Sequence, residues 1–148
     1  MIEIGSYVGE STTIFANHFK KVISIDPFIN DYDVNDLVCE HADFDIVYRQ
    51  FLSNMSKFNN IQHIRKLSSE AVSSFALESV NFVYIDGCHT YDQVKEDIIN
   101  YLPVVKKRGF IGGHDYTGNW PQVVKAVNDI LVKVDSTFVD GSWVKEII

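Results

Sequence analysis

Cysteine is nearly absent. The 148 residues include only Cys39 and Cys88, too few for a disulfide framework and without the paired spacing of a metal-binding motif. Three prolines and eight glycines mark turns, and no repeat, low-complexity tract or interdomain linker interrupts the chain. Basic residues are short as well: 13 Lys and Arg face 20 Asp and Glu, giving a formal net charge of −7 spread along the chain. Electrostatic binding of DNA or RNA needs a basic face, so no nucleic-acid partner is expected. No apolar run is long enough to cross a bilayer and no charged-then-apolar leader opens the chain. No membrane is therefore expected, and the protein reads as cytoplasmic. A small-molecule substrate fits any net charge, because a pocket's local field can oppose the global one.

Core-forming residues are plentiful. Hydrophobic side chains make up 46% and charged ones 22%, the composition of one globular domain over residues 1–148. Short β-prone runs alternate with helix-period segments, which predicts an α/β, Rossmann-like three-layer sandwich around a mostly parallel, seven-stranded sheet. Strands are expected at Ile2–Ile4, Val22–Ile25, Ile61–Leu67, Phe82–Ile85, Phe110–Gly112, Phe138–Val139 and Trp143–Ile147. Helices are expected over about Ser11–Phe19, through Phe44, Val47, Phe51 and Met55, from a Thr90-x-x-Gln93 capping box to Pro103, and onward from Pro121. Asp140-Gly141-Ser142 alone separates the last two strands and suits a tight antiparallel hairpin. The acidic stretch Asn30–Asp43 reads as a solvated connection or as a substrate-contacting loop. Because the first strand starts at residue 2, the sequence is either a minimal domain or one piece of a longer polypeptide. The oligomeric state is not legible.

Gly5 and Gly9 lie on the turn from the first strand into the first helix, where glycine permits both a sharp turn and a close ligand approach. A tight structural turn needs the same residues, so the pair is weak evidence alone. Asp26 closes the second strand at the distance where nucleotide folds place a ribose-binding carboxylate, although it also suits a cap before Pro27. Positions 7 and 10 are Tyr and Glu, so the dinucleotide fingerprint G-x-G-x-x-G is missing and a pyrophosphate is poorly served. Glu3 would sit well near a cationic ligand.

The densest polar constellation ends two neighbouring strands. Asp86-Gly87-Cys88-His89 follows one and His114-Asp115-Tyr116 the other, so two carboxylates and two imidazoles converge beside the cleft. Two chemistries fit. His89 can act as general base towards a substrate hydroxyl, or Asp86 and Asp115 can hold a divalent ion that lowers the hydroxyl's pKa.

Glu-x-Gly-x-x-x-Gly, then a strand ending in Asp, resembles the first two motifs of class I S-adenosylmethionine-dependent methyltransferases. The resemblance implies that Glu3, Gly5, Ser6, Tyr7, Gly9, Ser11 and Asp26 line the cofactor cleft, with Asp86 at its reactive end. Leu67-Ser68-Ser69-Glu70-Ala71 resembles the loop that contacts adenine in that superfamily, which implicates Ser68 and Ser69. Asp86-Gly-x-His89-x-Tyr91, a helix, and then Gly109-x-x-x-x-His114-Asp115-Tyr116 is similar to the bacterial group related to macrolide-sugar O-methyltransferases and cephalosporin-hydroxylase-type proteins. That likeness runs from Glu3 to Ile147. In its metal-dependent members the position of Asp86 is a metal ligand and that of His89 the catalytic base. Those members carry two consecutive acidic ligands where this chain has His114-Asp115. A divalent ion such as Mg or Mn at Asp86, His114 and Asp115 would meet an imidazole, which suits Mn, Fe or Zn better than Mg. The implied activity is methyl transfer to a hydroxyl of a sugar, glycan or glycosylated small molecule. An NAD-dependent oxidoreductase on a similar fold, or a non-catalytic cofactor-binding domain of a larger protein, are the rival readings.

Overall fold

The computed structural model describes residues 1–33 and 36–148. Its sheet contains β1 (Ile2–Ile4), β2 (Val22–Ile25), β3 (Ile61–Ile64), β4 (Val80–Ile85), β5 (Val105–Gly113), β6 (Ser136–Thr137) and β7 (Trp143–Glu146). Their order is β3-β2-β1-β4-β5-β7-β6. The first five are parallel and β7 runs antiparallel to both β5 and β6. Helices α1 (Glu10–His18), α2 (Leu37–His41), α3 (Phe44–Met55), α4 (Ser68–Ala71), α5 (Tyr91–Tyr101) and α6 (Pro121–Leu131) connect them. This is the expected Rossmann-like sandwich, with the reversal of direction at the β1–β4 centre where such sheets bind ligands. No helix among the described residues is long and apolar enough to cross a membrane.

β1 is buried on both faces and β2 nearly so, with Glu3 and Ser24 the polar residues among their Ile and Val. The main core joins Ile2, Ile4, Ile25, Val83, Ile85 and Ile111 to Val94, Ile98, Val123 and Val127 of the helices. A second cluster, Phe28, Phe44, Val47, Phe51 and Met55, packs α3 beneath the first loop.

Several boundaries differ from expectation, each for a local reason. β5 starts five residues early, because exposed Lys106, Lys107 and Arg108 disguise its first half and a bulge separates the Val80–Val105 pair from Phe82–Phe110. β3 stops at Ile64, where Lys66 N bonds back to the Ile64 carbonyl and Arg65 turns towards the Pro27 and Phe28 carbonyls. β6 is Ser136–Thr137, while Phe138 and Val139 lie exposed in a five-residue connection closed by Phe138 N to Ser142 O at 2.9 Å. The capping box does not form. Thr90 Oγ1 contacts the Cys88 thiol, and Gln122 Oε1 takes the Tyr91 amide at 2.9 Å instead. The 30–43 stretch contains α2, and its Val34 and Asn35 lie outside the described residues.

Candidate active site

Across the sheet the strand ends follow one another as Ser68 (after β3), Asp26 (β2), Gly5 (β1), Asp86 (β4) and His114-Asp115 (β5). They open on a cavity of about 430 Å³, within the ordinary range for a small-molecule site. Asp26, Asp33, Asp36, Asp86, Asp97 and Asp115 all line it, and among the described residues neither Lys nor Arg does. A second cavity of about 530 Å³ lies against α1 and shares Ser6, Tyr7, Asp86 and His114 with the first.

At the glycine loop, Gly5 has φ 82° and its amide bonds to the Ile25 carbonyl at 2.9 Å. Asp26 holds the loop's shape. Its Oδ2 accepts from the Ser6 and Tyr7 amides at 2.8 and 3.1 Å, and its Oδ1 accepts from the Phe28 amide at 2.8 Å. Burial raises the Asp26 carboxyl pKa and these amides oppose the shift. Gly5, Ser6, Tyr7, Asp26, Ser68 and Asp86 reach the first cavity. Glu3, Gly9 and Ser69 line neither cavity, and Ser11 faces only the second. Gly9 is the left-handed N-cap of α1, packed so closely that an added Cβ would meet Met55 Cε at 2.4 Å. Ser69 is solvent-exposed.

Glu3 is fully buried under the loop. Its carboxylate accepts from Ser11 and Thr12 hydroxyls at 2.5 Å each, and from Ser6, which also bonds Ser24 at 2.6 Å. Burial, against those hydroxyls, lifts its pKa from 4.5 to about 7. An acid whose folded pKa is raised resists ionisation, so its share of stability is complete below about 4.5 and is lost as the pH climbs through 7. Melting curves should show wild-type protein losing roughly 5–10 °C to this group between those limits, and Glu3→Gln should flatten that slope. An unchanged slope in the variant would show that Glu3 does not titrate there.

At the other end, His89 is clamped. Asp33 Oδ2 takes its backbone amide at 2.6 Å and lies 2.7 Å from Nδ1, while Asp115 Oδ2 lies 2.9 Å from Nε2. The ring stacks on Trp120 at 4.0 Å between centroids. Enclosure alone would lower the His89 pKa, but hydrogen bonds to Asp115 and Asp33 prevail and lift it to about 10. The ring is thus an imidazolium donating to both carboxylates at neutral pH. Asp115 adopts φ 61°, a strained left-handed conformation for a non-glycine residue, and it also lies 3.3 Å from His114 Nδ1. Burial would raise the Asp115 carboxyl, yet its bonds to His89 and His114 hold it below the usual range. One donor atom each of Asp86, His114 and Asp115 lie within 4.8 Å of one another, close enough to ligate one ion.

Residues 2–116 match a family model described as a methyltransferase domain. The chain belongs to that family. The domain is 29% identical over 147 residues to the uncharacterised protein R132 of Acanthamoeba polyphaga mimivirus, covering 91% of this chain and 60% of the relative. A further relative, y4gI of Sinorhizobium fredii, is 32% identical over 79 residues, 51% of this chain and 9% of that protein. The chain thus spans only part of both relatives. Among solved structures it resembles the O-methyltransferase NovP (TM-score 0.74, 14% identity) and the calicheamicin methyltransferase CalS11 (0.72, 14%). Each likeness covers 99% of this chain and 71% of the other. A putative caffeoyl-CoA O-methyltransferase from Staphylococcus aureus matches at TM-score 0.62 and 19% identity, covering 97% and 72%. These likenesses establish the fold.

The cavity of this methyltransferase domain suits a cationic adenosyl donor better than a dinucleotide. A diphosphate would face six aspartates with no Lys or Arg among the described lining residues, a repulsion that a cationic donor does not meet. Family membership replaces the oxidoreductase reading. Asp33 and Asp97 are the residues sequence reasoning missed. Asp33 is indistinguishable by pattern from Asp31 and Asp36 in an acidic stretch. Asp97 had a signal: it falls with Val94, Ile98 and Tyr101 on the buried stripe of α5.

Proposed function

We propose that this domain transfers the methyl group of S-adenosylmethionine to a hydroxyl oxygen of a sugar, glycan or glycosylated small molecule, with His89 as general base. The observation that carries the reading is the wall of aspartates, free of Lys and Arg, ending on the His89 clamp. With the ribose near Asp26, the sulfur falls towards Asp86, where the two cavities meet and an acceptor in the second can face it. Asp33 keeps Nδ1 protonated and the Trp120 stack fixes the ring plane. When Asp115 releases Nε2, the larger of the two hydrogen bonds that raise the ring's pKa is lost and the Nε2 proton passes to solvent, leaving a neutral imidazole held through Nδ1 by Asp33. Nε2 then takes the hydroxyl proton as the oxygen forms its bond to the methyl carbon and the carbon–sulfur bond breaks. A divalent ion held by Asp86, His114 and Asp115 would supply Lewis acidity that orients the hydroxyl and lowers its pKa.

Calorimetry with S-adenosylhomocysteine and NAD, followed by a labelled-methyl assay on methyl glycosides with and without chelator, tests the proposal. S-adenosylhomocysteine should bind and NAD should not. Binding of NAD alone would overturn the cofactor reading. Cofactor binding without transfer to any hydroxyl acceptor would favour a binding-only domain.

A further inference from the structure

Buried carboxylates of the domain are satisfied from behind. Asp97, 1% exposed, accepts from the Ser68 hydroxyl at 2.5 Å and from the Gln93 amide at 3.3 Å. Trp143 is different. The residue is 2% exposed, and among the described residues its Nε1–H and the His63 Nε2 are the enclosed side-chain nitrogens without a hydrogen-bond partner. His63 lies among the rings of Phe28, Tyr48 and Phe51, whereas Trp143 lines a third cavity. A buried donor without an acceptor carries its full desolvation cost, so native interiors almost always supply one, often as water.

The third cavity has the size and the lining for that partner. It holds about 10 Å³, close to the space of one water molecule, and Asp86, His89, His114 and Asp115 line it together with Trp143. An apolar void would stay dry; this one is bounded by polar and charged groups. Gly113 faces Trp143 across the β5–β7 pair and keeps the space beside the indole open. An added Cβ there would stand 2.9 Å from Nε1 and 2.3 Å from the Ile85 carbonyl oxygen. Asp115 has capacity to receive a donor. Both imidazoles meet its Oδ2, which lies 2.9 Å from His89 Nε2 and 3.3 Å from His114 Nδ1, so Oδ1 is left able to accept.

We propose that one ordered water fills this cavity, accepting from the Trp143 indole and donating to Asp115, and that Trp143 is thereby a positioning residue for the carboxylate that clamps His89. The water is a property of the fold; its effect on methyl transfer rests on the His89 reading above. A water has a second proton to give, and Ile85, whose carbonyl flanks the same space, also lines the cavity. Asp115 holds a left-handed φ of 61°, and a tether on its side chain helps fix a conformation that its backbone disfavours. The tether also persists when Oδ2 gives up Nε2, and so keeps the released carboxylate from returning to the ring.

High-resolution crystal structures of wild-type protein and Trp143→Phe test the proposal, because phenylalanine keeps an aromatic ring and removes the N–H. Wild-type density should show one water about 2.7–3.2 Å from Nε1. Its absence, or direct donation from the indole to a protein atom, would overturn the proposal with no variant needed. In Trp143→Phe the water should be lost and the Asp115 carboxylate should turn from its wild-type orientation. An unmoved carboxylate would overturn the positioning role. The variant's kcat should fall roughly 10-fold, with KM and S-adenosylhomocysteine affinity changed by no more than about 2-fold. An undiminished kcat in the folded variant would overturn that role equally. If wild-type protein transfers no methyl group, the proposed activity fails, while the two crystal structures still decide the water and its hold on Asp115.

Discussion

Replacing His89 by alanine should reduce methyl transfer by about 10²–10⁴-fold while S-adenosylhomocysteine affinity changes by no more than about 3-fold. The expectation follows from where the ring's bonds go. Both nitrogens engage carboxylates, one from the segment after β2 and one from the end of β5, and Trp120 covers one ring face. The bonds that Asp26 and Ser68 make lie elsewhere in the cavity wall and do not depend on the ring. Alanine keeps the backbone amide that bonds Asp33, so that buried carboxylate retains one donor. Loss of cofactor binding in parallel with turnover would make His89 a structural tie between the two segments. Partial recovery of the rate with added imidazole, without any change in affinity, would identify a missing base.

Gly5→Ala should be the most destabilising single substitution at the loop. A Cβ at Gly5 would lie 2.0 Å from the Asp86 carbonyl oxygen and 2.7 Å from Gly87 Cα, and both are backbone atoms. They cannot retreat easily, since Asp86 N bonds to the Ile4 carbonyl at 2.8 Å and β1 pairs with β4 up to Ile85. The left-handed φ adds about 1 kcal/mol, and overpacking against fixed backbone adds about 1–3 kcal/mol or more. Together these should lower the melting temperature by roughly 10 °C and abolish cofactor binding. Gly118→Ala is the control, because nothing lies within 4 Å of its added Cβ and its φ is not left-handed. A Gly5→Ala protein that melts with wild type would show that the loop has another accessible conformation.

The electrostatics of the site could be read from the sequence only in part. Asp86, His89, His114 and Asp115 were legible as a cluster because polar residues at the ends of apolar parallel strands must converge. Their protonation was not. His89 reads as a free imidazole near neutrality until Asp33, from a segment 56 residues away in sequence, is seen on its Nδ1. Glu3 is the converse case. Its motif position suggests contact with a cationic donor, yet three hydroxyls close over it and the chain above it forms the cavity floor.

By itself the sequence determined the class of sheet, the order of its central elements and the loops at which ligand contacts gather. Periodicity and apolar runs report burial, and burial of both strand faces forces the parallel, helix-covered arrangement. Only the tertiary structure decided which carboxylates are satisfied from behind, as Glu3 and Asp97 are, and which face one another across the cleft. Those outcomes depend on hydrogen bonds between residues distant in the chain and on local desolvation, and neither leaves a periodic trace. The two cavities meeting at Asp86 and His114 are decided the same way, by how α1, β4 and β5 pack rather than by any motif.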